Sequence, residues 1–259
     1  MLQAIAEMAC ARQKVRDGSR PLEATRHMNL PDPARPLVAI GDVHGMADFL
    51  SDALAQIARL DAFPVLLGDL VDKGPDSVGV LRQVVPLARA GQLATVRGNH
   101  DERLLKSLTD PKGKQTRVLE AIKAAPDAEE LIAGTVTMLM HAPYWFKAAG
   151  HVLVHGAFHL DMLTCPSDGR APDAPRKLKA LALYGETDGS LNAEGLPIRT
   201  YRWIDRIPQG LTAIVGHDTR QMHEPLIVES ALGGRAVFLD TGAAKGGRLS
   251  TWTIHHAPP

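Results

Sequence analysis

Cysteine is nearly absent from the 259-residue chain, where Cys10 and Cys165 stand alone in unrelated contexts. Two cysteines without a spacing pattern argue against a disulfide framework and fit a reducing compartment. Net charge is also missing, with 29 basic residues against 29 acidic. That balance implies no nucleic-acid coat or membrane surface, and no stable nucleic-acid partner is expected. No apolar run approaches the roughly 18 residues of a membrane span. The apolar start, Met1 to Met8, carries Glu7 and no basic residue ahead of it, which is unlike a secretory leader. A cytoplasmic protein is expected. A phosphate-binding P-loop is lacking too, because Gly113-Lys114 has no glycine five residues earlier.

What the chain does contain is a repeated grammar of apolar strand followed by ligand. Leu37–Ile40 leads into Gly41-Asp42-Val43-His44-Gly45. Val65–Leu67 leads into Gly68-Asp69-Leu70-Val71-Asp72-Lys73-Gly74, and Leu93–Val96 into Arg97-Gly98-Asn99-His100-Asp101. Later, Val152–Val154 ends in His155-Gly156 and Thr212–Val215 in Gly216-His217. Buried runs of this length read as strands, and the glycines permit sharp turns at their ends.

The first three turns recur at about the length of one βαβ unit, roughly 30 residues. Between them, Phe49, Leu50, Ala53, Leu54, Ile57 and Leu60 fall at helical spacing, and Asp76 is placed to cap a second helix. Crossover helices would align the strands in parallel and gather Asp42, Asp69 and Asn99 at one sheet edge. Residues 101–150 read as helical and could roof that edge or simply pack as core. The last third reads as short strands at 211–215, 225–229, 235–239 and 249–254, forming a mixed or antiparallel second sheet against the first. Residues 1–36 read as an appendage, a helix followed by a proline-rich linker, ahead of a domain spanning 37–259.

Asp, His and Asn ligands without thiolate suit manganese, iron or zinc. A carboxylate such as Asp69 could bridge two ions, which together would clamp a phosphoryl oxygen. His100, beside Asn99, is placed to protonate a leaving oxygen, with Asp72 as the carboxylate that fixes its tautomer.

The three blocks, in this order and spacing, resemble the phosphoprotein phosphatase branch of the calcineurin-like metallophosphoesterases. His155-Gly156 and Gly216-His217 match that family's later histidine motifs. The resemblance implies an α/β fold with two mixed β-sheets packed as a sandwich flanked by helices. It implies two divalent ions, manganese favoured over iron or zinc: Asp42, His44 and Asp69 on one, and Asp69, Asn99, His155 and His217 on the other. It implies His100 with Asp72 as the acid pair, and Asn99 and Lys73 near substrate phosphate. The family has arginine where this chain has Lys73, which keeps the charge but loses the bidentate fork. Leu183–Thr187, Gly195–Arg199 and Leu239–Gly242 resemble the phosphatase module of bacterial polynucleotide kinase–phosphatases, which implies Asp240 near the second ion or supporting a ligand histidine. Arg199 and Arg202 are candidates for a second phosphate clamp, and Arg97 is expected to pair with a neighbouring acid.

The expected activity is hydrolysis of a phosphoester by direct attack of water. The favoured substrate is a phosphorylated protein, as in serine/threonine phosphatases. A nucleotide substrate, a dinucleoside polyphosphate or a cyclic or terminal nucleotide phosphate, is the alternative, and an inactive phosphate-binding scaffold is the third.

Overall fold

A computed structural model of the chain describes residues 35–110, 112–165 and 174–255. The helix expected near the start of the chain lies outside these residues.

Strands β1 (Leu37–Ile40), β2 (Phe63–Leu66) and β3 (Ala94–Thr95) run parallel in one sheet. They are joined by helices α1 (Ala47–Arg59) and α2 (Ser77–Arg89). Asp76 caps α2 as expected, accepting from the Gly79 N–H at 2.6 Å. Three further helices follow β3: α3 (Asn99–Thr109), α4 (Arg117–Ala124) and α5 (Ala128–His141). Leu104, Val118, Ile122, Leu131 and Met138 of these helices bury their apolar faces in the cluster formed by α1 and α2. Apart from the start of α3, the stretch up to His141 therefore builds the helical layer of the first sheet, the core role, rather than a roof.

Helical spacing reads too far at Met138–Phe146, because the chain turns into β4 (Trp145–Ala148) instead. Tyr144 and Trp145 are wholly buried. With β5 (His151–Val154), β4 opens the second sheet, followed by the short helix α6 (Asp161–Thr164) and α7 (Arg176–Tyr184). A two-stranded hairpin, β6 (Glu186–Leu191) with β7 (Pro197–Thr200), stands apart from both sheets. Strands β8 (Thr212–Val215), β9 (Leu226–Glu229) and β10 (Arg235–Phe238) complete the second sheet in the order β4-β5-β8-β10-β9. It is mixed: β5, β8 and β10 are parallel, with antiparallel β4 and β9 at its edges. The final strand, β11 (Thr251–Ile254), does not join it. It pairs antiparallel with β1, so the end of the chain closes the first sheet.

Period-two alternation explains how the layers hold together. Leu37, Ala39, Val65 and Val96 of one sheet meet Leu153, Ile214 and Val237 of the other in a single apolar layer. The intervening Val38, Ile40 and Leu66 face α1 and α2, while Val152, Val154, Ala213 and Val215 face α7 and the segment around Trp203. Each sheet is thus covered on both faces, and the carboxyl ends of both parallel trios open on one side of the sandwich.

Candidate metal centre

The turns after these strands hold the ligand-bearing side chains in backbone conformations that non-glycine residues rarely adopt. His44, Asp69, Asp72, Lys73 and His217 all have positive φ, between 46° and 70°. Such strain, of order 1–3 kcal/mol per residue, persists only where surroundings over-determine it. Asp101 is one such restraint. Its carboxylate accepts from the N–H groups of Gly98, Asp69 and Leu70 at 2.9, 2.8 and 3.0 Å, locking the second turn to the third. Gly98 has no alternative here, since a Cβ would collide with the Asp69 backbone N and carboxylate.

Asp69 sits between two groups of ligands. Its Oδ2 lies 3.4 Å from His44 Nε2, and its Oδ1 lies 3.3 Å from His155 Nε2. Asp42 adds an oxygen 3.7 Å from His44 Nε2. On the far side, His155 Nε2 is 3.0 Å from Asn99 Oδ1 and 3.1 Å from His217 Nδ1. The structure therefore brings Asp42, His44, Asp69, Asn99, His155 and His217 together. Two trios, His44–Asp69–His100 and Asp69–His155–His217, each place their donor atoms within 4.8 Å of one another.

Both inner histidines are oriented from behind. His44 Nδ1 donates to the Val71 carbonyl at 3.0 Å and His155 Nδ1 to the Leu67 carbonyl at 2.9 Å. That leaves each Nε2 facing inward, as metal-binding imidazoles require. Burial drives His44 down to about 4, with Lys73 and His100 acting the same way against Asp69. Burial, reinforced by the His155 and Arg199 charges, drives His217 down to about 2. Both imidazoles are therefore neutral at pH 7, the form that can bind a metal. His155 differs: burial opposes its charge, but Asp69 and Asp42 outweigh it and raise it to about 9. Burial likewise raises Asp42 well above a normal carboxylate, helped by Asp240 and Asp69 against His155. A buried carboxyl crowded by two others and three convergent imidazoles is a donor set that a cation would stabilise. The His217 Nε2 is buried without a hydrogen-bond partner among the described residues.

The expected acid pair is in contact: His100 Nδ1 lies 2.6 Å from Asp72 Oδ2, and its Nε2 is turned inward, 3.9 Å from Asp69 Oδ2. Lys73 Nζ reaches His44 Nε2 at 2.6 Å. The two arginine candidates part company. Arg199 Nη1 lies 3.4 Å from Asp218 Oδ1 and joins His217, Glu186 and Tyr201 in lining a shallow cleft. Arg202 is 64% exposed and faces Glu186 at 3.8 Å. Asp240 supports the His217 loop indirectly, accepting from Thr219 Oγ1 at 2.6 Å.

Residue-by-residue reading missed the clamping role of Asp101 and the presence of Arg103, whose Nη2 lies 2.5 Å from Asp72 Oδ2. Helical spacing from His100 was the available signal for Arg103. Arg97 pairs with an acid as expected: buried Nη1 meets Glu102 Oε2 at 2.9 Å and the Tyr144 hydroxyl at 3.0 Å.

A two-sheet sandwich whose parallel strand ends converge on carboxylate, amide and imidazole donors defines a metallophosphoesterase. The chain belongs to the calcineurin-like phosphoesterase family, whose family description matches residues 35–185. It is a hydrolase acting on phosphoesters, of a family that uses divalent metals. It is 28% identical over 233 residues to an asymmetrical bis(5'-nucleosyl)-tetraphosphatase of Halalkalibacterium halodurans, covering 82% of this chain and 87% of that one. It is 37% identical over 122 residues to a symmetrical bis(5'-nucleosyl)-tetraphosphatase of Ralstonia nicotianae, covering 46% of this chain and 41% of that one. The fold also matches a cold-active protein-tyrosine phosphatase from Shewanella, with TM-score 0.55, 17% identity, and 92% and 82% of the two chains covered. Among the described residues no helix is long and apolar enough to cross a membrane.

Proposed function

We propose that this protein is a metal-dependent hydrolase of nucleotide substrates, of which dinucleoside polyphosphates are the leading class. The observation that carries the catalytic reading is Asp69, whose two oxygens face separate ligand groups at 3.4 and 3.3 Å. Asp42, His44 and Asp69 would hold one divalent ion, and Asp69, Asn99, His155 and His217 the other. Bound there, the ions would supply charge stabilisation at the phosphoryl oxygens and a more acidic water. The donor set suits manganese, with iron or zinc also compatible.

The remaining steps belong to the chain's own residues. Lys73, in the turn after β2, and Arg199, on the β6–β7 hairpin, place positive charge beside the centre from separate elements, which favours an extended polyanion. Water attacks phosphorus and releases a proton to solvent as the bond to the leaving oxygen breaks. His100 Nε2 delivers a proton to that oxygen while Asp72 holds Nδ1. No covalent enzyme intermediate forms.

The named activities of the two bacterial relatives support nucleotides over the phosphoprotein substrate expected from sequence. Initial rates on diadenosine tetraphosphate and on a phosphoserine peptide, with manganese and with a chelated control, test this. Faster metal-dependent cleavage of the nucleotide is expected. Faster cleavage of the peptide would overturn the substrate assignment.

A further inference from the structure

His100 and Arg103 are three residues apart on α3, a spacing that lays both side chains over the same patch. Both converge on Asp72, which stands in a left-handed turn with φ of 70°. Asp72 Oδ2 lies 2.6 Å from His100 Nδ1 and 2.5 Å from Arg103 Nη2, and the two nitrogens are 2.7 Å apart. A carboxylate only accepts and a guanidinium only donates. One oxygen receiving both Nδ1–H and Nη2–H satisfies all three groups at once. That arrangement holds one ring proton on Nδ1, and Nε2, which must carry a second proton to act as the donor, is aimed into the centre. Arg103 is 46% exposed and Asp72 21%, so the pair contributes little to stability as a surface ion pair. Its effect is geometric.

We propose that Arg103 is a positioning residue for the acid pair. Its guanidinium fixes the Asp72 carboxylate, and through it the ring of His100, so that Nε2 meets the leaving oxygen. The proposal rests on reading His100 as the proton donor.

Arg103→Met and Arg103→Lys in the manganese-loaded enzyme, assayed on phenyl phosphate and p-nitrophenyl phosphate, test it. Phenolate needs a proton far more than p-nitrophenolate. Arg103→Met should therefore widen the kcat ratio between the esters by about tenfold, part of the roughly 10²–10⁴ that a placed acid supplies. Arg103→Lys should recover part of the loss. In a His100→Ala background Arg103→Met should add no further widening, since both act through one group. A second reading is independent of turnover. In metal-free protein carrying ¹⁵N-histidine, the low-field Nδ1 proton that disappears in His100→Ala should broaden in Arg103→Met and stay sharp in Arg103→Lys.

Equal losses on both esters, a raised KM with an unchanged ratio, or the same widening in the His100→Ala background would overturn the proposal. If His100→Ala itself shows no leaving-group dependence, the reading of His100 fails. If His100→Ala shows it and Arg103→Met does not, only the role of Arg103 fails.

Discussion

The first sheet delivers its ligands on three turns spaced like βα units, whereas the second delivers two histidines, His155 and His217, 62 residues apart. The first set is assembled by its own backbone. Asp101 ties the second turn to the third through three N–H groups, and His44 N and Gly45 N bond to the carbonyls of Asp69 and Leu70. The second set leans on the first. The His217 N–H donates to the Asp42 carboxylate at 3.0 and 3.1 Å, His155 is oriented by the Leu67 carbonyl, and a Cβ on Gly216 would strike Asp42. One sheet is a preformed frame, and the other docks its ligands onto it. Asp69 is where the two meet.

The largest effect should come from breaking that meeting point. Asp69→Asn is expected to lower kcat on the order of 10³-fold, the equivalent of several kcal/mol, with metal content falling at both positions. Full metal content and activity, by elemental analysis and steady-state rates, would remove Asp69 as the shared ligand.

Next comes the frame itself. Asp101→Ala orphans three N–H groups at a buried carboxylate, each worth about 1–3 kcal/mol when left unpaired. A loss of at least ~3 kcal/mol in denaturant unfolding of the metal-free protein is expected. His217→Ala, at the docked side, should cost much less stability. Similar losses for the two would erase the distinction between frame and docked set.

A smaller, graded effect follows from His155. Because Asp69 and Asp42 raise it to about 9, it carries a proton at pH 7.5 that a metal must displace. Its raised value favours the metal-free protonated form below pH 9 and ceases to do so above. Affinity at that position should therefore rise about tenfold per pH unit up to roughly 9, with close to one proton released. Titration calorimetry in buffers of different ionisation enthalpy measures this, and a flat profile would contradict it.

The smallest contrast separates the arginines. Arg199→Ala should raise KM for diadenosine tetraphosphate by about tenfold, a charge-assisted contact of roughly 1.5 kcal/mol. Arg202→Ala should change it by less than about twofold, as for an exposed pair. The reverse order would move the phosphate clamp to Arg202.

Much of the frame was legible because strand, turn and helix were each written locally. Leu37–Ile40 and its following Asp42 and His44, the α2 cap at Asp76, and the approximate 30-residue spacing needed no tertiary knowledge. The docked side was legible only as two glycine-flanked histidines, since nothing local says that β5 and β8 lie parallel and adjacent. The destination of Thr251–Ile254 was not legible, because an alternating strand fits either sheet until register with Leu37–Ile40 decides. Phe146 was misread because a short apolar run after a helix carries no period of its own. Asp101 hid in plain view: a carboxylate at the third position of a helix reads as a cap, and its two extra donors come from another turn, 31 and 32 residues away.

The shared carboxylate can be tested most directly by electron paramagnetic resonance of the manganese-loaded wild-type protein. If the two oxygens of Asp69 join two ions, the spectrum at full loading should be that of an exchange-coupled manganese pair, replaced by isolated ions in Asp69→Asn. Isolated signals in the fully loaded wild type would contradict a bridged centre.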